Sequence, residues 1–313
     1  MITATAVVPA YIRTPRDAAW LRRGVEALLR EAAIDEVVVV DDASPHPPPE
    51  LGPRVLVLHG GRNAGPAAAR NLGIARALER GSRFVLFTDH DCVPQAGWAS
   101  ALIEGLSAGD VAASGATLAL GKTLLDRYQD FAGSMNGRWV LPGRESLLYG
   151  PSCNLLVRAE ALGAERFDER FPTAAGEDYD FCHRLRRLGT IAFVPRALVL
   201  HDFGYPGSLR GLGAFLRQVR RYGAADALLW EKHPELRGLP SEACAPADLL
   251  APPSPDPAGY RRAALSRVSP PGLRPAFLLL RHLSRAAYRR GQRAPDRWRA
   301  LPALASCGGA GAS

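Results

Sequence analysis

Hydrophobic positions in the first 120 residues follow two different periods. Runs of consecutive apolar, mostly β-branched residues predict buried strands, which we place at residues 5–9, 36–40, 55–58 and 84–87. Apolar residues three or four positions apart predict helices between these strands, at residues 15–29, 66–78 and 98–106. Alternating strands and helices indicate right-handed β-α-β units. We therefore expect an α/β fold with a mostly parallel, Rossmann-like central sheet covered by helices on both faces.

The periodicity is less regular after residue 120. It predicts helices at residues 124–139, 159–162, 178–188 and 209–230, and strands at residues 149–157, 191–194 and 197–200. Proline, alanine and serine then dominate a stretch that is typical of a linker. We therefore divide the chain into a main α/β domain, a linker, a helical tail and a terminus expected to be disordered, at residues 1–233, 234–259, 260–300 and 301–313.

The composition excludes several classes of protein. The 313 residues are 47% hydrophobic and 22% charged, with 31 glycines and 26 prolines scattered along the chain, which excludes collagen, coiled coils and wholesale disorder. No apolar run reaches the roughly 18 residues that cross a bilayer, so we expect no membrane span. Pro9, Arg13 and Arg16 interrupt the early apolar stretch, so we expect no secretory signal. Five widely spaced cysteines predict reduced thiols and a cytoplasmic protein.

The positive charge is concentrated near the C-terminus. Of the 39 basic and 31 acidic residues, 11 arginines but only one acid follow residue 259, which leaves a net charge of −2 on the rest of the chain. Apolar residues at 277–283 stand among these arginines and predict a basic amphipathic helix. Such a helix can lie on an anionic membrane surface, at the inner face of the membrane, or pack on its own domain or a protein partner. No nucleic-acid motif accompanies the arginines, so we expect no nucleic-acid partner.

Carboxylates follow two of the predicted strands. Asp41 and Asp42 come at the end of the second strand, and Asp89 and Asp91 follow the fourth. Ligands of parallel α/β sheets bind beyond the carboxyl ends of the strands. Two carboxylates two residues apart can approach one Mg²⁺ or Mn²⁺ ion, which completes its shell with phosphate oxygens and water. Asp-x-Asp is also common in turns, so this tripeptide alone leaves a purely structural role open.

Five segments, taken in order, resemble the family 2 glycosyltransferases of the GT-A fold. They are residues 7–11, 38–44, 62–73, 88–94 and 176–180, and the resemblance extends over about residues 3–233. Residues 149–154 (YGPSCN), together with residues 176–178, are also similar to the mycofactocin-system glycosyltransferase branch. The resemblance implies a GT-A fold, a nucleotide-sugar donor, a hydroxyl-bearing acceptor and a divalent metal, Mn²⁺ or Mg²⁺.

The resemblance implies roles for residues around the donor. Asp41 and Asp42 correspond to the position that hydrogen-bonds the uracil edge, and Asp89 to a contact with ribose or the metal. Asp91 corresponds to a ligand of the metal that bridges the diphosphate, and His201 to a residue that completes this site. A strand-end histidine bonded to the backbone is the alternative for His201. The other residues implied to bind nucleotide-sugar are Pro9, Ala10, Tyr11, Asn63, Arg70 and His90, the last with its side chain expected to point away.

The resemblance also implies roles on the acceptor side. Transfer with inversion needs a base that takes the proton of the attacking hydroxyl. Asp178 corresponds to that base, and Glu177 supports it or contacts the acceptor; helix capping is the alternative for acids at a helix start. Arg221 and Tyr222 resemble an element that borders acceptor and diphosphate, and Asn154 is placed with them. Ordinary packing is the alternative for Tyr222.

We therefore predict a metal-dependent, inverting glycosyltransferase that moves a hexose, with UDP as the expected carrier, to an acceptor hydroxyl by single displacement. A non-catalytic nucleotide-sugar binding protein and a sugar nucleotidyltransferase remain open. The first would have no use for a base at Asp178. The second would need a basic, glycine-rich loop at the first strand, which the sequence lacks. Residues 121–123 (GKT) do not complete a phosphate-binding loop, because Ala116 stands where its first glycine is required.

Overall fold

The computed structural model describes residues 4–140, 146–163, 165–171, 173–237, 241–243 and 272–294. Its strands are β1 (Ala4–Ala10), β2 (Glu36–Asp41), β3 (Val55–His59), β4 (Phe84–Phe87), β5 (Cys92–Pro94), β6 (Asp110–Ala119), β7 (Arg138–Val140), β8 (Leu147–Tyr149), β9 (Leu155–Arg158), β10 (Thr190–His201) and β11 (Ser241–Ala243). Its α-helices are α1 (Pro15–Leu28), α2 (Pro66–Glu79), α3 (Trp98–Glu104), α4 (Leu124–Ala132), α5 (Glu177–Leu185), α6 (Leu209–Lys232) and α7 (Arg274–Gln292).

Eight of the described strands form one sheet, in the order β3-β2-β1-β4-β9-β6-β10-β5. β1 pairs in parallel with β2 and β4, β2 with β3, and β6 with β10. β9 is antiparallel to β4 and β6, and β5 is antiparallel to β10. The prediction of a mostly parallel α/β sheet is confirmed. Because β1, β2 and β4 run in the same direction, their carboxyl ends meet at one edge, where the sequence places its acids.

Helices cover both faces of this sheet. Along β1 successive side chains point to opposite faces, so Val8 packs in one core with Leu21 of α1, and Val7 in the other with Phe181 of α5. Helix α2 lies so close to β1 that a Cβ on Gly73 would stand 2.2 Å from Cγ1 of Val7. Only glycine permits this approach, which brings the N-terminus of α2 against the sheet edge.

Helices α1 and α4 begin with the same hydrogen-bonding motif. In α1 the Asp17 N–H donates to Thr14 Oγ1 at 3.3 Å, while Asp17 Oδ2 accepts the Thr14 N–H at 3.0 Å. In α4 the Asp126 N–H and Thr123 Oγ1 are 3.2 Å apart, and Asp126 Oδ2 accepts the Thr123 N–H at 2.8 Å. Both pairs are capping boxes, which satisfy backbone donors at the first turn. Residues 121–123 thus serve to begin α4, in agreement with the rejection of a phosphate loop.

The structure differs from the predicted elements in the middle of the chain. The helix predicted at 124–139 ends at Ala132, because Gly133 adopts a left-handed conformation with φ of 64°. The strand predicted at 149–157 is divided by a 3₁₀ turn at Ser152–Asn154. The two strands predicted at 191–194 and 197–200 are one strand, β10, which bulges between Val194 and Leu198. The periodicity therefore located these segments but not their ends.

Strand β6 lies inside the sheet and was not predicted. Its sequence, DVAASGATLA, consists mainly of small residues and lacks the β-branched run that marks β1 and β2. The small residues are required by close neighbours: a Cβ on Gly115 would lie 1.9 Å from the carbonyl oxygen of Ala197 in β10. The close packing of β6 against β10 explains why its residues are small. Local strand propensity therefore could not predict β6.

The tail helix α7 packs on α4 and α6. Phe277 and Leu280 of α7 join Tyr128 and Phe215 in one buried cluster, with Phe277 and Tyr128 rings 5.6 Å apart at 76°. The predicted amphipathic helix is therefore present, and its apolar side contacts the protein's own domain. None of the helices in the described ranges is both long and apolar enough to cross a membrane.

The predicted linker is described at residues 234–237 and 241–243 only. There, Leu236 of a 3₁₀ turn (Pro234–Leu236) is buried, and β11 pairs antiparallel with β7. These two pieces pack on the main domain. The rest of the predicted linker, the tail outside residues 272–294 and the predicted disordered terminus at 301–313 lie outside the described residues.

Candidate active site

A cavity of about 630 Å³ opens at the carboxyl ends of β1 and β4. Thirteen of the sixteen residues singled out from the sequence line it: Pro9, Ala10, Tyr11, Asp42, Asn63, Arg70, Asp89, His90, Asp91, Glu177, Asp178, His201 and Tyr222. The side chains of Asp41, Asn154 and Arg221 are not among its lining. Segments more than 160 residues apart thus contribute to one cavity, as expected for a site at the edge of an α/β sheet.

Asp91 and His201 face each other at one wall of the cavity. β5 and β10 pair with His201 opposite Cys92, which brings His201 Nε2 to 3.6 Å from Asp91 Oδ1. The backbone-bonded alternative for His201 is not observed, because its Nδ1 has no hydrogen-bond partner among the described residues. The separation is too long for a hydrogen bond but suits two ligands of one ion, which at roughly 2.1 Å each lie about 3–4 Å apart. The carboxylate suits Mn²⁺ and Mg²⁺, and a neutral imidazole is a common ligand of metal ions in proteins. This pair is a candidate metal centre.

Arg70 connects the two acidic sides of the cavity. Its guanidinium is 2% exposed and donates from Nη2 to Asp89 Oδ1 at 2.7 Å and from Nη1 to Glu177 Oε1 at 3.0 Å. It also lies over the ring of Phe167, 5.4 Å from the centroid. The sequence suggested a nucleotide contact for Arg70. The structure adds a positioning role, since a rigid fork of donors holds the strand-end loop against the start of α5.

Glu177 and Asp178 begin helix α5. Gly176, with φ of 85°, is the N-cap residue and offers no side chain, so the acids occupy the first helical turn. Burial and the neighbouring Asp178 raise the pKa of Glu177 from its ordinary 4.5 to about 7, against the opposing charge of Arg70. Burial also raises the pKa of Asp178, although Arg70 opposes the shift. The Asp178 carboxylate accepts the Tyr179 N–H at 2.8 Å and still lines the cavity. An aspartate with a raised pKa is suited to accept a proton.

The two adjacent acids after β2 have different surroundings. Asp42 accepts the Ala64 N–H and the Gly65 N–H, each at 2.8 Å, and so shapes the loop before α2 while facing the cavity. Asp41 accepts the Ser44 N–H at 3.0 Å and lies 3.1 Å from a ring nitrogen of His59. Of the predicted pair, Asp42 is therefore the carboxylate placed to meet a ligand.

The other two predicted residues outside the cavity lining have structural contacts. Asn154 is fully buried, accepts the Trp98 Nε1–H at 2.8 Å, and donates to the carbonyls of Ala116 at 2.8 Å and Ala197 at 3.0 Å. These bonds join α3, β6 and β10, so we leave Asn154 out of the proposed site. Arg221 is not among the residues that line the cavity, and its side chain donates to Gln218 Oε1 on its own helix at 3.1 Å, so we do not include it in the proposed site.

Sequence reasoning missed part of the cavity wall. Additional lining residues come from α4, α6 and α7: Tyr128, Gln129, Phe215, Gln218, Val219, Asp226, Ser284 and Tyr288. The Tyr288 hydroxyl donates to Asp226 Oδ2, which links the tail helix to α6. The sequence did contain one indication of this wall, Asp226, which is a carboxylate on the otherwise apolar face of a predicted helix.

The sequence is similar to curated proteins of one kind. The pre-mycofactocin glycosyltransferases of two Mycobacterium tuberculosis strains, CDC 1551 / Oshkosh and ATCC 25618 / H37Rv, are each 33% identical to it over 247 residues. Each match covers 74% of this chain and 48% of the relative. The chain thus spans about half the length of the curated relatives it matches.

Two solved structures have a similar fold. A mannosyltransferase from Pyrobaculum calidifontis, in complex with GDP-Man and Mn²⁺, superposes with a TM-score of 0.53 at 19% identity, covering 96% of this chain and 86% of that one. GalNAc-T7 with UDP, GalNAc and Mn²⁺ gives a TM-score of 0.50 at 15% identity, covering 77% and 52%. At such identities the likeness concerns the fold, which is GT-A. Residues 5–155 match the family described as Glycosyl transferase family 2, and the chain belongs to that family.

Proposed function

We propose that the protein transfers a hexose from a nucleotide-sugar to an acceptor hydroxyl, by a metal-dependent single displacement that inverts the anomeric carbon. The observation that carries this proposal is one cavity in which Asp91 and His201 form a candidate metal centre and Asp178 a candidate base. A binding protein without catalysis would have no use for a carboxylate whose pKa is raised at the cavity wall.

The donor nucleotide would occupy the side of the cavity formed by the ends of β1 and β2. Pro9, Ala10 and Tyr11 would line the base, and Asp42 would hydrogen-bond its edge, with Asn63 beside it. Burial raises the pKa of Asp42, whose carboxylate faces the cavity and would accept a hydrogen bond from the edge of the base. We propose uracil as this base. One of the two similar structures holds UDP and the other GDP-Man, so the donor screen must compare uridine with guanosine nucleotide-sugars.

Asp91 and His201 would hold the metal, with Asp89 at its shell or at the ribose. A bound Mn²⁺ or Mg²⁺ would neutralise the charge that develops on the departing diphosphate. No side-chain acid is then needed for the leaving group. His90, between the two aspartates, lines the cavity and would border the diphosphate.

Asp178 would take the proton of the acceptor hydroxyl as that oxygen attacks the anomeric carbon. Glu177, with a pKa of about 7, stays partly protonated near neutral pH and can donate a hydrogen bond at the acceptor. Arg70 holds Glu177 and Asp89 at fixed positions. The acceptor would enter along the wall made by α4, α6 and α7, where Tyr222 and Tyr288 lie.

A donor screen tests the proposal. Thermal unfolding with a panel of UDP- and GDP-hexoses plus Mn²⁺ should show stabilisation by a UDP-hexose, and mass spectrometry should then detect nucleotide release. Stabilisation without nucleotide release on any hydroxyl acceptor would indicate a binding protein. Formation of pyrophosphate from a sugar phosphate and a nucleoside triphosphate would indicate a nucleotidyltransferase. No stabilisation by any nucleotide-sugar would contradict the whole proposal.

We also propose that the protein acts in the cytoplasm. Cys92, Cys153 and Cys182, the cysteines within the described ranges, are buried free thiols, which suits a reducing compartment. Cell fractionation followed by thiol labelling checks this: the protein should be found in the cytoplasmic fraction with its cysteines reduced. Recovery of the protein with its cysteines in disulfide bonds would contradict the proposed location.

A further inference from the structure

A second group of metal-binding side chains lies outside the cavity. His183 is near the end of α5, His233 is the C-cap residue of α6, and Glu235 is in the following 3₁₀ turn. One ligand atom from each lies within 4.8 Å of the others. None of the three lines the cavity that holds Asp91 and His201. The function proposed above therefore does not account for this cluster.

The three side chains converge on one carboxylate oxygen. Glu235 Oε1 is 2.9 Å from His183 Nε2 and 3.7 Å from His233 Nδ1. The two imidazole rings are 4.5 Å apart between centroids and inclined at 54°, so they do not stack. The distance to His233 exceeds that of a hydrogen bond and is near the separation of two ligands on one ion.

The buried carboxylate of Asp180 orients His233. The His233 ring nitrogen that points away from Glu235, Nε2, is 2.8 Å from Asp180 Oδ1, and Asp180 is fully buried. Asp180 is held in turn by Arg184 Nη2 at 3.0 Å. A carboxylate bonded to the far nitrogen of a histidine fixes the tautomer, so that the near nitrogen presents its lone pair. In His233 that lone pair is on Nδ1, which faces Glu235.

We propose that His183, His233 and Glu235 bind a Zn²⁺ ion that joins the end of α5 to the end of α6. Two nitrogens and one carboxylate oxygen form a donor set that zinc prefers, whereas Mg²⁺ and Mn²⁺ favour sites richer in oxygen. The side chain of Glu235 is 56% exposed, so the site can be reached from solvent. The bound ion would stabilise the helix on whose first turn Asp178 stands, without touching the cavity.

Metal binding by the purified full-length chain tests this proposal. After chelator treatment, Zn²⁺ titration against a competing chelator should show a site whose affinity falls at least tenfold in His183→Gln and in Glu235→Gln. Glu235 is half exposed, so its variant should fold normally. His282→Gln, which alters an exposed histidine on α7, is the matched control and should bind Zn²⁺ like the wild type.

A second variant separates this site from the candidate metal centre of the cavity. Zn²⁺ should raise the melting temperature of Asp91→Asn as it does that of the wild type, and should leave that of the double variant Asp91→Asn, His183→Gln unchanged. Co²⁺ substitution should give a visible absorption band in Asp91→Asn that is lost in the double variant. Zinc bound only through Asp91 and His201, or equal affinity in the wild type and His183→Gln, would overturn the proposal.

Discussion

At the scale of single residues, the buried guanidinium of Arg70 is the group on which the cavity acids most depend. It neutralises Asp89 on the loop after β4 and Glu177 at the start of α5, two residues that lie 88 positions apart in the sequence. Arg70 and Glu177 are buried, whereas the Asp89 side chain is 24% exposed, so losing the guanidinium leaves mainly Glu177 without an alternative partner.

Replacement of Arg70 by glutamine should therefore destabilise the protein strongly. We expect a loss of about 3–5 kcal/mol in the free energy of unfolding, since the substitution breaks the buried ion pair with Glu177 and also removes the partner of the part-buried Asp89. Chemical denaturation measures this value. Arg76→Gln is the matched control, because Arg76 lies on the same helix and its side chain, paired with Glu36, is 30% exposed whereas that of Arg70 is 2% exposed. A loss as small in Arg70→Gln as in Arg76→Gln would contradict the prediction.

Two aspartates should show different phenotypes. Asp178→Asn removes the proposed base and should lower turnover at least about 100-fold while nucleotide-sugar binding is little changed. Asp91→Ala removes a proposed metal ligand and should weaken Mn²⁺-dependent nucleotide binding itself. Calorimetric titration of nucleotide with and without Mn²⁺, beside turnover, distinguishes the two. Near-normal turnover in Asp178→Asn would show that the base lies elsewhere.

The raised pKa of Glu177 predicts a pH dependence of stability. The folded chain retains the proton of Glu177 up to a pH of about 7, whereas the unfolded chain loses it near 4.5. Folding is therefore penalised progressively as pH rises from about 4.5 to about 7. Glu177→Gln should remove this penalty, so its free energy of unfolding should improve relative to the wild type between pH 5 and pH 8. Parallel pH curves for the two proteins would contradict the assignment.

At the scale of elements, the close contact of α6 with α7 makes the tail helix part of the cavity wall. A Cβ on Gly223 would lie 2.0 Å from the carbonyl oxygen of Tyr288, and a Cβ on Gly291 would lie 2.0 Å from that of Arg220. Each helix thus presents a glycine to the backbone of the other. This contact brings Ser284 and Tyr288 to the cavity.

Substitution of Gly223 by alanine should detach α7 from this position. Alanine favours a helix by about 0.5–1 kcal/mol over glycine, so any destabilisation must come from the contact itself. Gly213→Ala on the same helix is the matched control, because the nearest atom to its added Cβ is the far end of Arg217 at 3.5 Å. Thermal unfolding and proteolysis should show Gly213→Ala as stable as the wild type or more so, and Gly223→Ala as less stable. Equal behaviour would show that α7 is not held here.

At the scale of the whole molecule, charge and exposed apolar surface coincide on α7. Leu278 is 55% and Leu279 60% exposed, and Arg274, Arg281 and Arg285 on the same helix are exposed as well. The opposite side of α7, with Phe277 and Leu280, is buried on the protein's own domain. The sequence analysis offered two roles for this helix, packing on its own domain and lying on an anionic membrane surface. One helix can have both roles, since each uses a different face.

We expect this exposed face to bind anionic vesicles. Arginines near an anionic surface contribute about 1 kcal/mol each, and exposed leucines add apolar burial. Sedimentation with phosphatidylglycerol vesicles should fall at high salt and in the double variant Leu278→Ser, Leu279→Ser. Leu188→Ser, which removes an exposed leucine elsewhere, is the control. Binding that does not respond to the double variant, or binding to neutral vesicles alone, would contradict the prediction.

What the sequence by itself determined about this protein is local. The apolar runs of β1 to β4, the capping residues of α1 and the acids at the strand ends act over a few neighbouring residues, so they could be recognised before folding. The family and its GT-A fold followed from short motifs kept in order along the chain.

Only the tertiary structure decided which of these residues meet and what they do. Asn154 is a buried residue whose side chain hydrogen-bonds a neighbouring strand. Strand β6 was not predicted because its residues are small, and α7 forms part of the cavity wall. His183 meets His233 although 50 residues separate them in the sequence. The physical reason is common to these cases: burial, desolvation and ion pairing depend on neighbours distant along the chain, and local periodicity carries no information about them.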